Sequence, residues 1–214
     1  MWRTADVPVP PAVLERREQL LSAALRAIVD RGAASVRLRD IAAEAGVSIG
    51  ALQHHFESRD EIVTQAFLMR AAQVLAEAQD VAASGPDAWG SLESVIRYAT
   101  TGEDRRRSAA IWVEACAASH REPTVGEAVA EVDATWLALI ADIVGRGVAA
   151  DDFVPLLPVP QLTMAVGALI DGVELAVVGG RAPEEVDRTI EDVLAAVSVL
   201  VGRHRPARPG HPAG

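Results

Sequence analysis

The sequence predicts an all-α protein, and three observations support this fold class. Apolar residues recur at spacings of three and four, glycine and proline separate the segments in which they do so, and no segment makes a convincing strand. Half of the 214 residues are apolar, which is ample for a buried core. The length favours two lobes. We therefore expect an N-terminal three-helix helix-turn-helix domain followed by a second helical domain.

The first helix is predicted for residues 12–31, after a proline-containing lead-in at residues 1–11 that we expect to be flexible. Gly32 ends this helix, because glycine tolerates the positive φ that commonly closes one. Its apolar face consists of Leu20, Leu21, Ala24, Leu25 and Ile28.

The next segment predicts two short helices joined by a tight turn. Gly46 supplies the turn, and the hydroxyl of Ser48 can cap the second short helix, which has Ile49 and Leu52 on an apolar side and polar residues at 53–55. The remaining apolar positions are Leu38, Ile41, Ala42, Ala45, Val47 and Phe56. A short polar helix delivered in this way suits the major groove of DNA. We therefore expect residues 12–60 to form a DNA-binding domain.

A long fourth helix is predicted to begin at Ser58, which forms a capping box with Glu61, and to end at residues 84–86. Its length of roughly 35 to 40 Å would let it reach the second lobe, at 1.5 Å per residue. Five further helices are predicted at about 87–101, 104–119, 123–148, 159–179 and 183–202. Residues 61–202 are expected to form the second domain, and residues 203–214 a disordered tail.

The net charge of −10 is unevenly distributed. Residues 1–70 hold nine arginines and nine acidic residues, so the acidic excess lies in residues 71–214. Arginines lie near the starts of predicted helices, where backbone N–H groups also favour phosphate. They are Arg16, Arg17, Arg37, Arg39 and Arg59. A neutral domain joined to an acidic one implies modest nonspecific DNA affinity that depends on salt and on dimerisation.

The helix-turn-helix segment resembles the DNA-binding domain of the tetracycline-repressor (TetR) family. The matching motifs are Ile41-Ala42, Ala45 to Ser48, Gly50 to Phe56 and Ser58 to Asp60. Three positions depart from the family pattern. Gln53 stands where most members carry a tyrosine that touches phosphate, Arg59 replaces a lysine, and Arg37 replaces a threonine that caps the second helix.

This resemblance implies that the second short helix contacts bases while the arginines hold phosphates. A glutamine at position 53 can pair with adenine in the major groove, and Arg59 can keep a phosphate contact. His54 is expected to face bases, and His55 to pack and touch phosphate. The predicted DNA-contacting residues are Arg37, Arg39, Ser48, Ile49, Gly50, Gln53, His54, His55 and Arg59.

Residues 110–200 resemble, in outline, the ligand-binding domain of the TetR subgroup typified by the choline and glycine-betaine regulator. The matching segments are Trp112-Val-Glu-Ala, Trp136 and Ala168-Leu-Ile-Asp-Gly172. A small cation boxed by tryptophan rings and one carboxylate would suit aromatic and acidic residues on apolar helices, with Glu174 as a further acid. Simple core packing is the alternative. The predicted ligand-binding residues are Tyr98, Trp112, Glu114, Cys116, Trp136, Met164 and Asp171.

The last two helices are predicted to form a homodimer interface. Apolar residues in the ninth helix recur at an average spacing of 3.5, which makes one seam, and the eighth helix is apolar nearly all round. Packing inside a monomer is the alternative. The predicted interface residues are Leu162, Val166, Leu169, Val173, Val177, Val186, Ile190, Val193, Val197 and Leu200.

Other classes of protein are disfavoured. The apolar stretch at 162–180 contains Asp171 and Glu174, whose cost of about 2.5 to 3.5 kcal/mol at a bilayer centre for an Asp-like charge favours a buried helix and no membrane partner. The single Cys116 and the absence of an apolar N-terminal run predict a cytoplasmic location. No catalytic, cofactor or metal motif occurs, and His54 and His55 are a poor metal pair because neighbours on a helix point about 100° apart.

The sequence therefore predicts a ligand-responsive transcriptional regulator that binds double-stranded operator DNA as a homodimer, as a repressor released by a small-molecule effector. A helical interaction module without DNA binding is the main alternative, because the chain is acidic and Gln53 is unusual. A small helical enzyme is a weaker one. The arginines at 105–107 are interpreted as a solvated corner without function.

Overall fold

The computed structural model describes residues 11–102 and 105–203. Within these ranges the chain forms nine helices and no strand, which confirms the all-α class. The helices are α1 Pro11–Arg31, α2 Leu38–Glu44, α3 Ile49–Gln53, α4 Arg59–Ala83, α5 Ala88–Thr100, α6 Arg105–Ser119, α7 Pro123–Ala149, α8 Val159–Val178 and α9 Pro183–Leu200. The predicted lead-in and most of the predicted tail lie outside the described residues.

Short-range signals set the helix ends. Gly32 has φ +81° directly after α1, and Ser58 Oγ accepts the N–H of Glu61 at 3.0 Å at the start of α4. The reciprocal half of the predicted capping box differs, because the Glu61 carboxylate accepts the N–H of Glu57 at 2.7 Å.

The helices form two compact units. The first comprises the chain up to Gln73 together with Ala110–Val132, and the second comprises Val74–Ala109 and the chain from Asp133 onward. Helices α4, α6 and α7 contribute residues to both units. This division differs from the predicted boundary at residue 60, because part of α6 and α7 belongs with the helix-turn-helix.

The core of the first unit explains that difference. Side chains of α6 and α7 pack into the same cluster as the helix-turn-helix and are almost fully buried. They are Ile111, Ala115, Ala118 and Val125, which join Leu20, Ile28, Ile41, Leu52, Phe56 and Ile62. The sequence alone places these residues far apart, so periodicity cannot reveal that they share a core.

The core of the second unit is built from α5, α7, α8 and α9. Phe153 from the α7–α8 loop enters this core where Gly147 leaves room, since a Cβ at position 147 would lie 2.2 Å from the Phe153 ring. Phe153 also forms an isolated antiparallel bridge with Arg203, whose guanidinium lies over the Trp89 ring. Arg203 is therefore held by the fold, although we predicted that the disordered tail begins there.

One helix in the described part of the chain, α8, is long and apolar enough to cross a membrane by length and composition. Its side chains Leu162, Val166 and Val173 are at most 1% exposed and lie in the core of the second unit. Helix α8 packs against α5 and α9. This burial is typical of a core helix in a globular unit.

Candidate nucleic-acid interface

The turn between α2 and α3 has the predicted geometry. Gly46 adopts φ +65°, and the N–H of Val47 bonds to the carbonyl of Ala42 at 2.9 Å. Ser48 Oγ then accepts the N–H of Ala51 at 3.1 Å and caps α3. The positive φ of Gly46 and these two hydrogen bonds fix the direction in which α3 leaves the turn.

Helix α3 presents a mostly polar, exposed side. Leu52 is fully buried and anchors the helix, whereas Gly50, Gln53 and His54 are exposed. Ile49 is 43% exposed, so unlike Leu52 it does not enter the core. An exposed apolar side chain beside polar ones suits a base edge, because it can contact a thymine methyl group.

His55 differs from its neighbour. It is half-buried, its ring lies at an angle to the rings of His54 and Phe56, and its backbone carbonyl accepts a hydrogen bond from Arg17. The packing role predicted for His55 agrees with this position. Within residues 11–102 and 105–203, no three His, Cys, Asp or Glu side chains are grouped as metal ligands.

The predicted phosphate-binding arginines fall into two groups. Arg37 and Arg39 are exposed at the start of α2, as is Arg16 on α1. Arg17 and Arg59 instead use their guanidinium groups inside the first unit. For Arg59, burial alone would lower the pKa, but the hydrogen bonds that it donates to Asp60 and Glu122 raise the pKa above its ordinary value.

The arginine at position 37, where the family pattern has threonine, determines how the start of α2 is capped. Arg37 occupies the N-cap, and an arginine side chain has no acceptor with which to cap a helix. The carboxylate of Asp40 accepts the Arg37 N–H at 2.9 Å, which satisfies that donor. The N-cap side chain therefore makes no capping hydrogen bond to α2, and the side chain of Arg37 is exposed.

The predicted ligand-binding residues are divided between the two units. Trp112, Glu114 and Cys116 belong to the first unit, whereas Tyr98, Trp136, Met164 and Asp171 belong to the second. Trp136 is half-buried and packs against the core of the second unit. Trp112 is half-buried as well.

Several of these residues cannot line an enclosed cavity of one protomer. Cys116, Met164 and Asp171 are exposed, because their positions on α6 and α8 face outward. The Tyr98 hydroxyl donates to Glu77. Glu114 was predicted to anchor a ligand, but its Oε2 accepts the N–H of Ala33 at 2.6 Å.

Glu174, another carboxylate on α8, has a strongly raised pKa. Burial, followed by the negative charge of Asp171 one turn away, raises the pKa of Glu174 to about 8. Glu174 therefore holds a proton near neutral pH. The sequence analysis identified Glu174 as an acid on an apolar helix, and its pKa is the one on α8 that the fold shifts strongly.

The predicted dimer seam requires a correction. Its side chains face the core of their own unit, because α9 packs against α5 and α8 of the same chain. The residues in this core are Leu162, Val166, Val173, Val177, Val186, Ile190, Val193 and Val197, with Leu169 and Leu200 partly buried against it. Most of the seam is therefore used within one protomer, and Leu169 and Leu200 are the predicted interface residues that stay partly exposed.

Helices α8 and α9 still expose small and apolar residues on their outer sides. Met164, Leu175 and Val199 are 58%, 59% and 63% exposed. The exposed positions that share a face are Met164, Ala168, Asp171 and Leu175 on α8, and Arg188, Asp192, Ala195 and Val199 on α9. Each set recurs at spacings of four and three, so each lies along one side of its helix.

A capped turn that delivers a short polar helix, with exposed arginines at the start of the preceding helix, defines a helix-turn-helix DNA-binding protein. Comparison with known families agrees. Residues 20–66 match the model described as bacterial regulatory proteins, tetR family, and residues 91–202 match that of the BetI-type transcriptional repressor, C-terminal. The chain belongs to the TetR family of transcriptional regulators and carries a BetI-type C-terminal domain.

Individual relatives support the same assignment. The transcriptional regulator PksA of Bacillus subtilis (strain 168) is 32% identical over 46% of this chain, and the chain spans about half (48%) of its length. The regulator BetI of Stenotrophomonas maltophilia (strain R551-3) is 28% identical over 82% of this chain and 88% of its own.

The fold of a solved structure is also similar. A putative transcriptional regulator from Saccharomonospora viridis, determined in complex with choline, superposes with a TM-score of 0.80 over 90% of this chain and 100% of its own, at 24% identity. At this level of identity the likeness establishes the shared fold.

Proposed function

We propose that this protein is a homodimeric repressor that binds operator DNA and leaves it when a small organic cation binds to the second unit. The observation that carries the proposal is the exposed side of α3 with Gln53 and His54, preceded in the chain by exposed Arg37 and Arg39. Base-reading side chains and phosphate-binding arginines are the two components that sequence-specific recognition needs. This function places the protein in the cytoplasm with the bacterial chromosome.

The cationic effector is inferred from α8 and from the relatives. A cation near Glu174 would favour the ionised carboxylate that burial otherwise disfavours, so the site gains an ion pair when it is filled. Trp136 packs against the same core as α8 and offers an aromatic face for a quaternary ammonium group. The BetI-type C-terminal match and the choline-bound relative point to the same ligand class.

A homodimer is inferred from the outer sides of α8 and α9. Leu175 and Val199 are exposed apolar side chains, and burying them in an interface would be favourable. A twofold axis brings the same face of two copies together, and it would let Arg188 of one protomer approach an acidic residue of the other. A dimer also fits DNA recognition, because two recognition helices about 34 Å apart can occupy successive major grooves.

Gel shifts with the intergenic DNA upstream of the protein's own gene test the operator-binding part. We expect binding to this duplex to exceed binding to a scrambled duplex of equal composition and to weaken steeply with salt. Equal binding to both duplexes would contradict sequence-specific repression. Failure to bind either would instead support the interaction module.

Titration with choline and with its uncharged carbon analogue, 3,3-dimethylbutan-1-ol, tests the effector. We expect choline, but not the analogue, to lower operator affinity by roughly 5- to 150-fold, which corresponds to the usual range of allosteric coupling. Tetramethylammonium serves as a minimal quaternary cation. Glu174→Gln should remove the preference for the cation, and an unchanged preference would exclude Glu174 from the site.

A further inference from the structure

The turn between α6 and α7 contacts the start of α4 through an ion pair. Glu122, the residue before α7, accepts a hydrogen bond from Arg59 Nη1 through its Oε1 at 3.0 Å. The side chains of Arg59 and Glu122 are only 20% and 19% exposed. The pair therefore lies inside the first unit and is poorly screened by solvent.

The donors of the Arg59 guanidinium are occupied by acceptors of the protein itself. Nε donates to the backbone carbonyl of Val36 at 3.2 Å, and Nη1 donates to both Asp60 at 2.7 Å and Glu122. The remaining nitrogen, Nη2, is buried without an acceptor. In this arrangement Arg59 cannot donate to a group that approaches from solvent.

The position of Arg59 nevertheless suits a phosphate. It is the first residue of a 25-residue helix, where the helix dipole and free N–H groups favour an anion, and the chain reaches it five residues after His54 of the exposed recognition helix. Carboxylate and phosphate both accept the parallel donors of a guanidinium.

We propose that Glu122 competes with a DNA phosphate for Arg59. The inference rests on the proposed operator binding and adds an internal competitor to it. In the DNA-free protein Glu122 occupies Arg59, and DNA binding requires the guanidinium to exchange this carboxylate for a phosphate. Glu122 is thus a positioning residue that lowers the affinity for DNA without touching it.

The pair itself is suited to such an exchange. Glu122 Oε2 and Arg59 Nη2 are both buried without hydrogen-bond partners, so the desolvation of the two charges is incompletely compensated. Buried ion pairs of this kind contribute little net stability. Release of Arg59 therefore forfeits little net stability when the Glu122 carboxylate reaches solvent as the guanidinium leaves it.

The test compares Glu122→Gln with Glu127→Gln, which removes the same charge from an exposed position on α7. The probe is a duplex selected from a random library by the wild-type protein. We expect Glu122→Gln to raise affinity about fivefold, as the loss of one charge-assisted competitor predicts, and Glu127→Gln to change it less than about twofold. The slope of affinity against salt should stay the same for Glu122→Gln, because Arg59 engages the same phosphate in both bound complexes.

If Glu122 acts by competing for Arg59, the affinity gained by Glu122→Gln must depend on Arg59, whereas a general effect of removing a negative charge would not. In an Arg59→Ala background, Glu122→Gln should change affinity no more than Glu127→Gln does. Glu122→Asp provides a second variant, which keeps the charge but withdraws the carboxylate and should raise affinity in the same direction.

The outcomes are distinguishable. If the wild-type protein selects no duplex, the proposed function fails. If it selects one and Glu122→Gln either matches Glu127→Gln or weakens binding while the thermal midpoint is preserved, the competition is overturned. A gain in affinity that persists in the Arg59→Ala background also overturns it.

Discussion

The guanidinium of Arg17 lies over the ring of Phe56, with its central carbon 4.2 Å from the ring centroid. The same group donates to the backbone carbonyl of His55 and to Glu61 Oε1, the latter at 3.0 Å. One α1 side chain thus holds the end of the recognition helix and the first turn of α4. The position of Arg17 near a helix start had suggested a phosphate contact, but its donors are used to assemble the helix-turn-helix.

Arg17→Ala is therefore expected to reduce the stability of the protein. It removes a cation–π contact and leaves a backbone carbonyl without its donor, at a cost of about 1 to 3 kcal/mol. Arg16→Ala is the matched control, because Arg16 is exposed and donates to Gln19, three residues along the same helix. Urea unfolding followed by circular dichroism measures both. Equal midpoints for the two variants would show that the Arg17 contacts are not stabilising.

Glu114 makes a second long-range link, from α6 to the end of α1. Glu114→Ala leaves the N–H of Ala33 without an acceptor at a fully buried residue, and we expect a loss of about 1 to 3 kcal/mol in unfolding free energy. Glu114→Gln keeps an acceptor oxygen and should recover most of that loss. If the glutamine variant is as unstable as the alanine variant, the hydrogen bond is not the cause.

The helix ends were predictable because they depend on neighbours in sequence. Gly32 with its positive φ and Ser48 with its hydroxyl cap determine their ends locally, and Pro123 and Pro183 begin helices where proline costs no hydrogen bond. These signals need no knowledge of the fold. They explain why the predicted and observed limits of most helices agree within one or two residues.

The partners of the long-range groups were not predictable in the same way. The apolar spacing of α9 shows that a seam exists, but both a partner protomer and α8 of the same chain can bury Val193 equally well. Likewise, an acid on α6 can anchor a ligand or accept the N–H of Ala33, 81 residues away. Periodicity gives the face of a helix, and only the three-dimensional packing gives its neighbour.

Gln53 and Arg37 should contribute to DNA binding in different ways. Gln53→Ala is expected to cost about 1 to 3 kcal/mol on the preferred duplex and little on scrambled DNA, since it removes a base contact. Arg37→Ala should weaken binding to both duplexes alike and reduce the salt slope by about 0.9. Fluorescence anisotropy across a salt series measures both effects. An unchanged ratio of preferred to scrambled affinity in Gln53→Ala would exclude base recognition by that residue.

The outer face of α8 and α9 should control the oligomeric state. Leu175→Glu combined with Val199→Glu places charges on exposed apolar positions, and we expect sedimentation to show monomers that no longer bind the operator. Leu14→Glu is the control, because Leu14 is also an exposed apolar residue (49%) but belongs to α1 and not to α8 or α9. A dimer that persists in the double variant would rule out this surface.

Glu174 predicts an unusual dependence of stability on pH. Because its folded pKa of about 8 lies above the ordinary value of 4.5, the folded protein retains a proton that the unfolded chain loses between these values. The stability that the neutral carboxyl provides is complete below the ordinary pKa and is lost as the pH rises through about 8.

The variant Glu174→Gln tests this dependence, because glutamine imitates the protonated carboxyl at every pH. Its unfolding free energy should match that of the wild type near pH 4 and exceed it near pH 9, by up to about 5 kcal/mol. Urea unfolding at both pH values, with the exposed Glu127→Gln as control, tests this expectation. A difference between Glu174→Gln and the wild type that does not grow with pH would mean that Glu174 ionises as an ordinary carboxylate in the folded state.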